Sequence, residues 1–221
     1  MKPVFIRREV LAGAAALAAA SMVGQASAQT PAQSIKLPAP RTDGGMPLMQ
    51  ALAKRRSTRA YSDKPLEEPV LSDLLWAAFG INRPETGDRT APSWRHSLET
   101  DIYVCRADGV FLYEPKAHEL RRVLDADIRK ATSSMVFAAT APAVLVYAAD
   151  LARMSKAPRE EQVLNAHVDS AIIGQNVYLF SASAGLGTVI LGSIDRAGLP
   201  KRMGLREGQI VTFAQTVGYP K

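Results

Sequence analysis

The feature that most constrains the fold is a long apolar segment at residues 160–184. It predicts a single helix with apolar side chains on nearly all sides: Val163, Leu164, Val168, Ala171, Ile172, Val177, Leu179 and Ala182. Such a helix requires cover on several faces, so we expect it at the centre of the domain or in a subunit interface. Asp169 lies on this helix and, if buried, requires a hydrogen-bond partner, which we expect at the interface. Gly185 follows the helix and is expected to cap it.

Shorter helices and strands alternate through the rest of the chain. The spacing of apolar residues predicts helices at 46–55, 69–79, 117–124, 128–138 and 196–203. The same reasoning predicts strands at 101–105, 110–113, 142–148, 187–191 and 210–217. The segment 80–97 contains prolines, glycines and many polar residues, so we predict a long loop there. Because helices outnumber strands and two strands form a hairpin, the predicted fold class is α+β rather than a doubly wound sheet.

The first 28 residues have the pattern of an export signal. Lys2, Arg7 and Arg8 precede an apolar run at 10–23, and Ala26-Ser27-Ala28 is a cleavage site of the A-x-A type. The run is too short to anchor the chain in a bilayer. The adjacent arginines indicate the twin-arginine route, with ordinary secretion as the alternative. The sequence therefore predicts a periplasmic or secreted protein, cleaved after Ala28.

The mature chain is predicted to be a flexible or arm-like leader at 29–45 and a single domain at 46–221. Removing Lys2, Arg7, Arg8 and Glu9 lowers the formal net charge from +6 to +4. This mild, scattered excess does not favour a nucleic-acid partner. The one cysteine, Cys105, excludes an intrachain disulfide and is interpreted as a small core residue.

Several common catalytic and binding motifs are excluded. Gly185-Leu186-Gly187 faintly resembles a dinucleotide fingerprint, but a helix precedes it and a strand follows, which reverses the required order. His96, His118 and His167 lack metal-ligand spacing, so no metal site is predicted. We interpret His118 as structural, and a role near a ligand is the minority hypothesis for His96. No G-x-S-x-G elbow is present, so redox chemistry would require a bound cofactor.

A basic cluster, Arg55-Arg56-Ser57-Thr58-Arg59, follows the first predicted helix. Three guanidinium groups within five residues can hold a phosphate by charge-assisted hydrogen bonds. The alternative is a solvated basic end that stabilises the helix C-terminus.

The order of several motifs resembles the nitroreductase-like flavoproteins, over about residues 46–220. The blocks are Arg55-Arg56-Ser57-x-Arg59-x-Tyr61, Leu74-Leu75-Trp76-Ala77-Ala78, Arg89-Thr90-Ala91-Pro92-Ser93, Gly174-Gln175-Asn176-x-Tyr178, Gly192-Ser193-Ile194-Asp195 and Val217-Gly218-Tyr219-Pro220. Within the family, the chain looks closest to the SagB-type peptide azoline dehydrogenases. It departs from them at Trp94-Arg95-His96, where small residues are usual, and this bulk could narrow the flavin face.

The resemblance implies an α+β sandwich with a central mixed or antiparallel sheet flanked by helices, and an intertwined homodimer that binds FMN at its interface. The implied cofactor residues are Arg55, Arg56, Ser57, Arg59 and Lys221 at the phosphate and ribityl chain, Pro92, Ser93 and Trp94 from the partner over the ring, and Gly192 and Ser193 at the ring edge. Asn176 is either a flavin contact or a satisfied helix residue, and Asn82 and Arg83 lie near the substrate entrance. No catalytic side chain is implied.

The implied activity is two-electron transfer from NAD(P)H or another donor, through FMN, to a small organic acceptor. Two other functional classes remain open. A flavin-binding protein without NAD(P)H turnover would be an FMN carrier, a sensor or a redox partner. A cofactor-free interaction module would retain only the fold.

Overall fold

The computed structural model describes Met1 and residues 34–154 and 156–221. The predicted export signal at 1–28, its cleavage site and the first part of the predicted leader lie outside the described residues. None of the described helices is both long enough and apolar enough to cross a membrane.

One antiparallel sheet forms the centre of the domain. Within the described residues it has seven strands: β1 (Ser34–Lys36), β4 (Thr100–Arg106), β5 (Gly109–Glu114), β6 (Glu119–Leu124), β7 (Ala143–Asp150), β8 (Gly187–Leu191) and β9 (Gln209–Gly218). Their order is β1-β6-β5-β4-β7-β9-β8, and each neighbouring pair is antiparallel. A separate hairpin joins β2 (Ile81–Arg83) to β3 (Asp88–Arg89). The five strands predicted from the sequence are confirmed, each within a few residues.

Two long helices lie against this sheet. The described α-helices are α1 (Leu48–Lys54), α2 (Glu68–Phe79), α3 (Arg159–Ser183) and α4 (Gly198–Arg202). Helix α2 has Pro69 in its first turn. Backbone N–H groups in the first turn have no intrahelical acceptor, so proline, which lacks this group, is tolerated there. The helix buries one apolar face completely, through Leu71, Leu74, Leu75 and Ala78. Cys105 is fully buried in β4, as predicted, and burial raises the pKa of its thiol to about 12.

Helix α3 packs closely on β8 and β9 through Gly174. A Cβ atom there would lie 2.9 Å from Ile190 Cδ1 and 3.1 Å from Gln215 Oε1. The helix is not covered on every side within one chain, because Leu164 is 63% exposed and Val168 is 46% exposed. It ends as predicted at Gly185, whose φ is +71°, and the Leu186 N–H donates to the Ser181 carbonyl.

Three predicted elements are wrong. Residues 117–124 form strand β6 instead of a helix, because pairing with β5 and β1 on both sides outweighs their local helix preference. Residues 128–138 form two 3₁₀ turns, Arg129–Ala131 and Val136–Ala139, since intervening hydroxyl groups bond the backbone, as Thr132 Oγ1 does with the Arg129 carbonyl. The predicted loop at 80–97 contains the β2–β3 hairpin and a 3₁₀ turn. Strands therefore outnumber helices, and the fold class remains α+β.

The described part of the predicted leader lies along the domain as an arm. Its strand β1 extends the sheet edge, and Leu37 is 4% exposed. Asp73, on α2, accepts hydrogen bonds from the backbone N–H and the Nε of Arg41, both at 2.8 Å.

His118 is structural, as predicted, and helps to hold the arm. Its Nε2 lies 2.7 Å from Ser72 Oγ, which donates to the Pro38 carbonyl, and its Nδ1 lies 3.0 Å from Tyr113 Oη. Because Ser72 uses its proton on Pro38, His118 must donate from Nε2, which leaves Nδ1 to accept from Tyr113. Burial lowers the pKa of His118, consistent with this neutral tautomer.

Candidate functional site

The arginine cluster directly follows α1 and is joined to the edge of the sheet. Ser57 forms an isolated bridge with Thr188 of β8, and the Thr58 N–H donates to the Thr188 carbonyl at 2.9 Å. On the other side, the Ser62 N–H donates to the Tyr219 carbonyl at 2.8 Å. The segment at 57–62 is therefore held between β8 and Tyr219, which follows β9.

Tyr61 anchors this segment to strand β9. Its hydroxyl donates to the Thr58 carbonyl at 2.5 Å and lies 2.7 Å from Thr216 Oγ1 of β9. Burial raises the pKa of Tyr61 to about 12, so the phenol stays protonated and available as a donor. Gly187 allows the close approach of Thr58, since a Cβ atom at 187 would lie 2.6 Å from Thr58 Cγ2.

Tyr178 of α3 orients two members of the cluster. Its hydroxyl lies 3.0 Å from Ser57 Oγ and accepts the Ile190 N–H at 3.0 Å. The Arg55 guanidinium lies 5.3 Å from the centre of the Tyr178 ring, within cation–π range. Because Tyr178 accepts from Ile190, it is free to donate to Ser57, whose own proton can then reach a ligand.

These residues line a cavity of about 920 Å³. Its wall contains five cationic side chains, Lys54, Arg55, Arg56, Arg59 and Lys221, and none of its described residues is Asp or Glu. Arg55, Arg56 and Arg59 make no ion pair among the described residues. Concentrated positive charge without Asp or Glu side chains gives this cavity the electrostatic character that favours an anion.

A buried serine in the same wall has an unused hydroxyl. Ser181 is 1% exposed, and its Oγ has no hydrogen-bond partner within the described part of the chain. Buried hydroxyl groups normally have a partner, so this atom is an exception; it is enclosed by protein atoms and is not open to a ligand in the cavity.

Beyond the end of β8, Ser193 lines a second cavity, and Gly192 directly precedes it in the chain. The Ser193 carbonyl accepts from the Ser134 N–H at 3.1 Å and from Ser133 Oγ at 2.9 Å. Arg196 donates to the Gly192 carbonyl at 3.1 Å and thereby fixes the turn. A Cβ atom on Gly192 would meet nothing within 4 Å, so the fold itself does not require glycine here.

The Pro92-Ser93-Trp94 segment lies away from the arginine cavity within one chain. Pro92 is exposed and Trp94 is half-buried. Ser93 Oγ accepts the Leu98 N–H at 2.9 Å, and Asp169 Oδ2 accepts the Trp94 N–H at 2.6 Å. Asp169 therefore has a hydrogen-bond partner within its own chain rather than across an interface. The Arg95 guanidinium lies 4.4 Å from the centre of the Trp94 ring.

Asn176 is also separate from the arginine cavity. Its Nδ2 donates to the carbonyls of Ala78 and Thr90, each at 3.3 Å, as expected of a satisfied helix residue. It lines a third cavity, of about 560 Å³, together with Asn82. Arg83 pairs with Asp88 instead of lining that cavity.

The structure thus brings Arg55, Arg56, Ser57, Arg59 and Lys221 together and leaves the other predicted site residues apart. Sequence reasoning missed Lys54, Tyr178 and Ser181. Tyr178 lies inside a recognised motif, but its hydroxyl contact with Ser57 depends on tertiary structure. Groups of three or more metal-ligating side chains do not occur among the described residues.

Comparison with known proteins gives consistent matches. The sequence pattern of the Nitroreductase family matches residues 52–219. A Methanocaldococcus jannaschii protein whose name places it with the nitroreductases is 36% identical over 156 residues, covering 66% of this chain and 78% of the relative. A Ralstonia eutropha crystal structure, also named for a nitroreductase, is similar with a TM-score of 0.81 and 38% identity, covering 85% of this chain and 90% of that chain.

A more distant structure shares the fold. The NADPH:FMN oxidoreductase of Vibrio harveyi, solved with NAD⁺, is similar with a TM-score of 0.60 and 20% identity. The match covers 79% of this chain and 69% of that chain.

Proposed function

This chain belongs to the nitroreductase family of oxidoreductases, and we propose that it is an exported, FMN-dependent member that transfers two electrons to a small organic acceptor. The observation that carries the proposal is the arginine cavity, with its five cations and no carboxylate among the described wall residues. FMN differs from riboflavin by a terminal phosphate, the kind of group that such a cavity recognises.

The residues present fit that phosphate. Arg55, Arg56 and Arg59 supply guanidinium donors, Lys221 supplies a point charge, and Ser57 supplies a hydroxyl already oriented by Tyr178. Charge-assisted hydrogen bonds of this kind each contribute about 1.5–3 kcal/mol.

The proposed ring-binding residues come from two copies of the chain. Gly192 has open space where a side chain would be, which suits close approach of a planar ring to the backbone of Gly192 and Ser193. Pro92, Ser93 and Trp94 would cover the ring from the partner subunit in a homodimer. Exposed apolar side chains on α1 and α3 support a homodimer in which a second copy of the chain packs against them: Leu48, Met49, Leu52, Leu164 and Val168.

Bound FMN would supply the two-electron chemistry, accepting hydride from NAD(P)H or another donor and passing electrons to the acceptor. The chain's own residues bind and orient it. Tyr178 and Tyr61 hold the phosphate-binding segment, and Arg196 holds the Gly192 turn. We also propose that the chain is closest to the SagB-type branch, and that residues 1–28 direct it to the periplasm or outside the cell.

A second candidate is a flavin-binding protein that NAD(P)H does not reduce. The stacked Trp94–Arg95 pair favours it, because these bulky side chains would lie over the ring that a nicotinamide must approach. The two candidates share the FMN site and differ only in the electron donor.

Flavin selectivity tests the proposal. We expect FMN to bind at least about 100-fold more tightly than riboflavin, measured by quenching of flavin fluorescence, because two phosphate contacts contribute about 3 kcal/mol. Arg59→Ala should weaken FMN binding about tenfold or more and leave riboflavin binding unchanged. Arg202→Ala, an exposed arginine on α4, is the matched control. Equal affinity for the two flavins would refute the phosphate assignment.

Anaerobic reduction then separates the two candidates. A yellow protein that NADPH bleaches is the oxidoreductase with a nicotinamide donor. A yellow protein that NADPH leaves unchanged, while dithionite bleaches it, is the second candidate.

A further inference from the structure

The segment after Ser93 has an unusual backbone that its surroundings must hold in place. Arg95, His96 and Leu98 have φ values of +46°, +60° and +48°. Non-glycine residues rarely adopt the left-handed region, and three of them within four positions persist only if nearby contacts enforce that conformation.

Two carboxyl groups make those contacts. Asp169 Oδ2 accepts the Trp94 N–H at 2.6 Å, at the start of the strained segment. Glu99 Oε2 accepts a hydrogen bond from Ser97 Oγ at 2.8 Å, near its end. Ser97 Oγ also lies 2.7 Å from the Trp94 carbonyl, and its one proton can go to only one of these two acceptors at a time.

Both carboxyl groups are buried and lie within hydrogen-bonding reach of each other. Glu99 is 0% exposed and Asp169 is 5% exposed. A hydrogen bond between two carboxyl groups requires that one of them carry a proton. Two ionised carboxylates at this separation in a buried site would instead repel each other.

Among the described residues, no cation forms a salt bridge with the pair. Arg153 interacts electrostatically with Glu99, but its guanidinium donates to the Leu98 carbonyl and pairs with Asp101 and Asp150. The other charged or titratable neighbours are engaged elsewhere: Arg95 stacks on Trp94, His96 pairs with Asp88, His167 bonds the Val163 carbonyl, and Arg206 pairs with Asp150. In the described part of the chain, neither Asp169 nor Glu99 forms an ion pair.

We propose that Asp169 and Glu99 share a single proton, and that this carboxyl clasp positions Trp94 on helix α3. Burial, together with the charge of Glu99, raises the pKa of Asp169 to about 6. Below that pH the clasp is closed. Above it the proton is lost, the two carboxylates repel, and the segment between Trp94 and Glu99 loosens from α3.

The clasp gives the Trp94 segment a pH-dependent position. What the segment covers rests on the proposed function, in which Trp94 lies over the flavin of the partner subunit. The clasp itself does not depend on flavin, since every contact that forms it lies within one chain. Asp169 and Glu99 are thus positioning residues, which act through Trp94.

Tryptophan fluorescence of the flavin-free protein tests the clasp directly. The chain has two tryptophans, so in a Trp76→Phe background Trp94 is the only one. We expect its emission to change between pH 4.5 and 8 along a one-proton curve centred near pH 6.

Two isosteric variants should abolish that transition. In Asp169→Asn, the amide oxygen can still accept the Trp94 N–H while the amide NH₂ donates to Glu99, which imitates the protonated pair without titrating. The emission should then stay at its low-pH value throughout. The same result is expected for Glu99→Gln. This variant replaces Asp169→Asn as the test if circular dichroism shows that Asp169→Asn does not fold.

His96 is the matched control, because it is an ionisable residue of the same segment and forms neither of the two carboxyl contacts. His96→Gln should keep the transition. Three results would overturn the clasp: a parent that shows no transition in Trp94 emission, a transition that persists in both amide variants, or a transition that His96→Gln removes. FMN binding in these experiments is a separate measurement, so failure of the clasp and failure of the proposed function are distinguishable.

Discussion

Replacing Gly187 by alanine should disturb both the stability of the domain and its affinity for flavin. The new Cβ atom would lie 2.6 Å from Thr58 Cγ2 and 2.9 Å from Thr58 Cβ. Ordinary carbon–carbon contacts are about 3.5–4 Å, so Thr58 must move by about 1 Å. Overpacking of this kind typically costs about 1–3 kcal/mol of the free energy of unfolding.

The displacement also reaches the cavity, because Ser57 and Arg59 flank Thr58. Loss of one charge-assisted contact to the phosphate costs about 1.5–3 kcal/mol, which corresponds to about a 10- to 100-fold weaker Kd for FMN. Urea unfolding without flavin measures the first effect, and quenching of flavin fluorescence measures the second.

A double-mutant cycle identifies the clash as the cause. Thr58→Gly removes the Thr58 atoms that lie closest to the new Cβ atom, so Gly187→Ala should cost much less in the Thr58→Gly background than in the parent. Thr58→Gly alone is the matched control. If Gly187→Ala alone leaves stability and FMN affinity unchanged, or if the two substitutions are simply additive, Thr58 and Gly187 do not position the cluster as described.

Three further predictions concern single side chains. Gly192→Ala should leave the urea midpoint unchanged, because its Cβ would meet nothing, yet weaken flavin binding several-fold; unchanged binding would remove Gly192 from the proposed ring site. Ser181→Ala should be neutral or slightly stabilising, since its Oγ has no partner in the described residues, and should leave FMN affinity unchanged, because that oxygen is not open to the cavity; a large loss of stability in urea unfolding would show that the hydroxyl has a structural partner. Burial lowers the pKa of His118, so the unfolded chain binds more protons as pH falls below about 6.5; the parent should therefore lose stability relative to His118→Gln as pH falls from 8 to 5, whereas parallel curves would exclude a neutral His118 that holds the arm.

The sequence predicted the chemistry of the cluster better than the structure around it. Guanidinium and hydroxyl groups at Arg55, Arg56, Ser57 and Arg59 lie close in sequence, so their convergence required only a local turn. Lys221 reaches the same cavity only because the chain after β9 returns beside Ala60. That contact came from the family resemblance, not from composition or spacing.

The missed and mistaken features depend on distant partners. Residues 117–124 contain adjacent arginines and leucines, which are good helix formers, and only pairing with β5 and β1 makes them a strand. Ser181 is one of three serines in α3, and its unpaired hydroxyl is recognised only once the packing around it is known. Asp169 was expected to need a partner, but neither the Trp94 N–H nor Glu99 is close to it in sequence.

The bridge between Ser57 and Thr188 has a consequence for solubility. Strand β8 is the last strand of the sheet and contains Gly-Thr-Val-Ile-Leu, an uncharged sequence with high β propensity. An open edge of this composition is a template for pairing with other chains, and the arginine segment covers part of it. The charged residues proposed to bind a phosphate would therefore also protect this edge against aggregation. Variants that detach the segment should form oligomers rich in intermolecular β-structure before the domain unfolds.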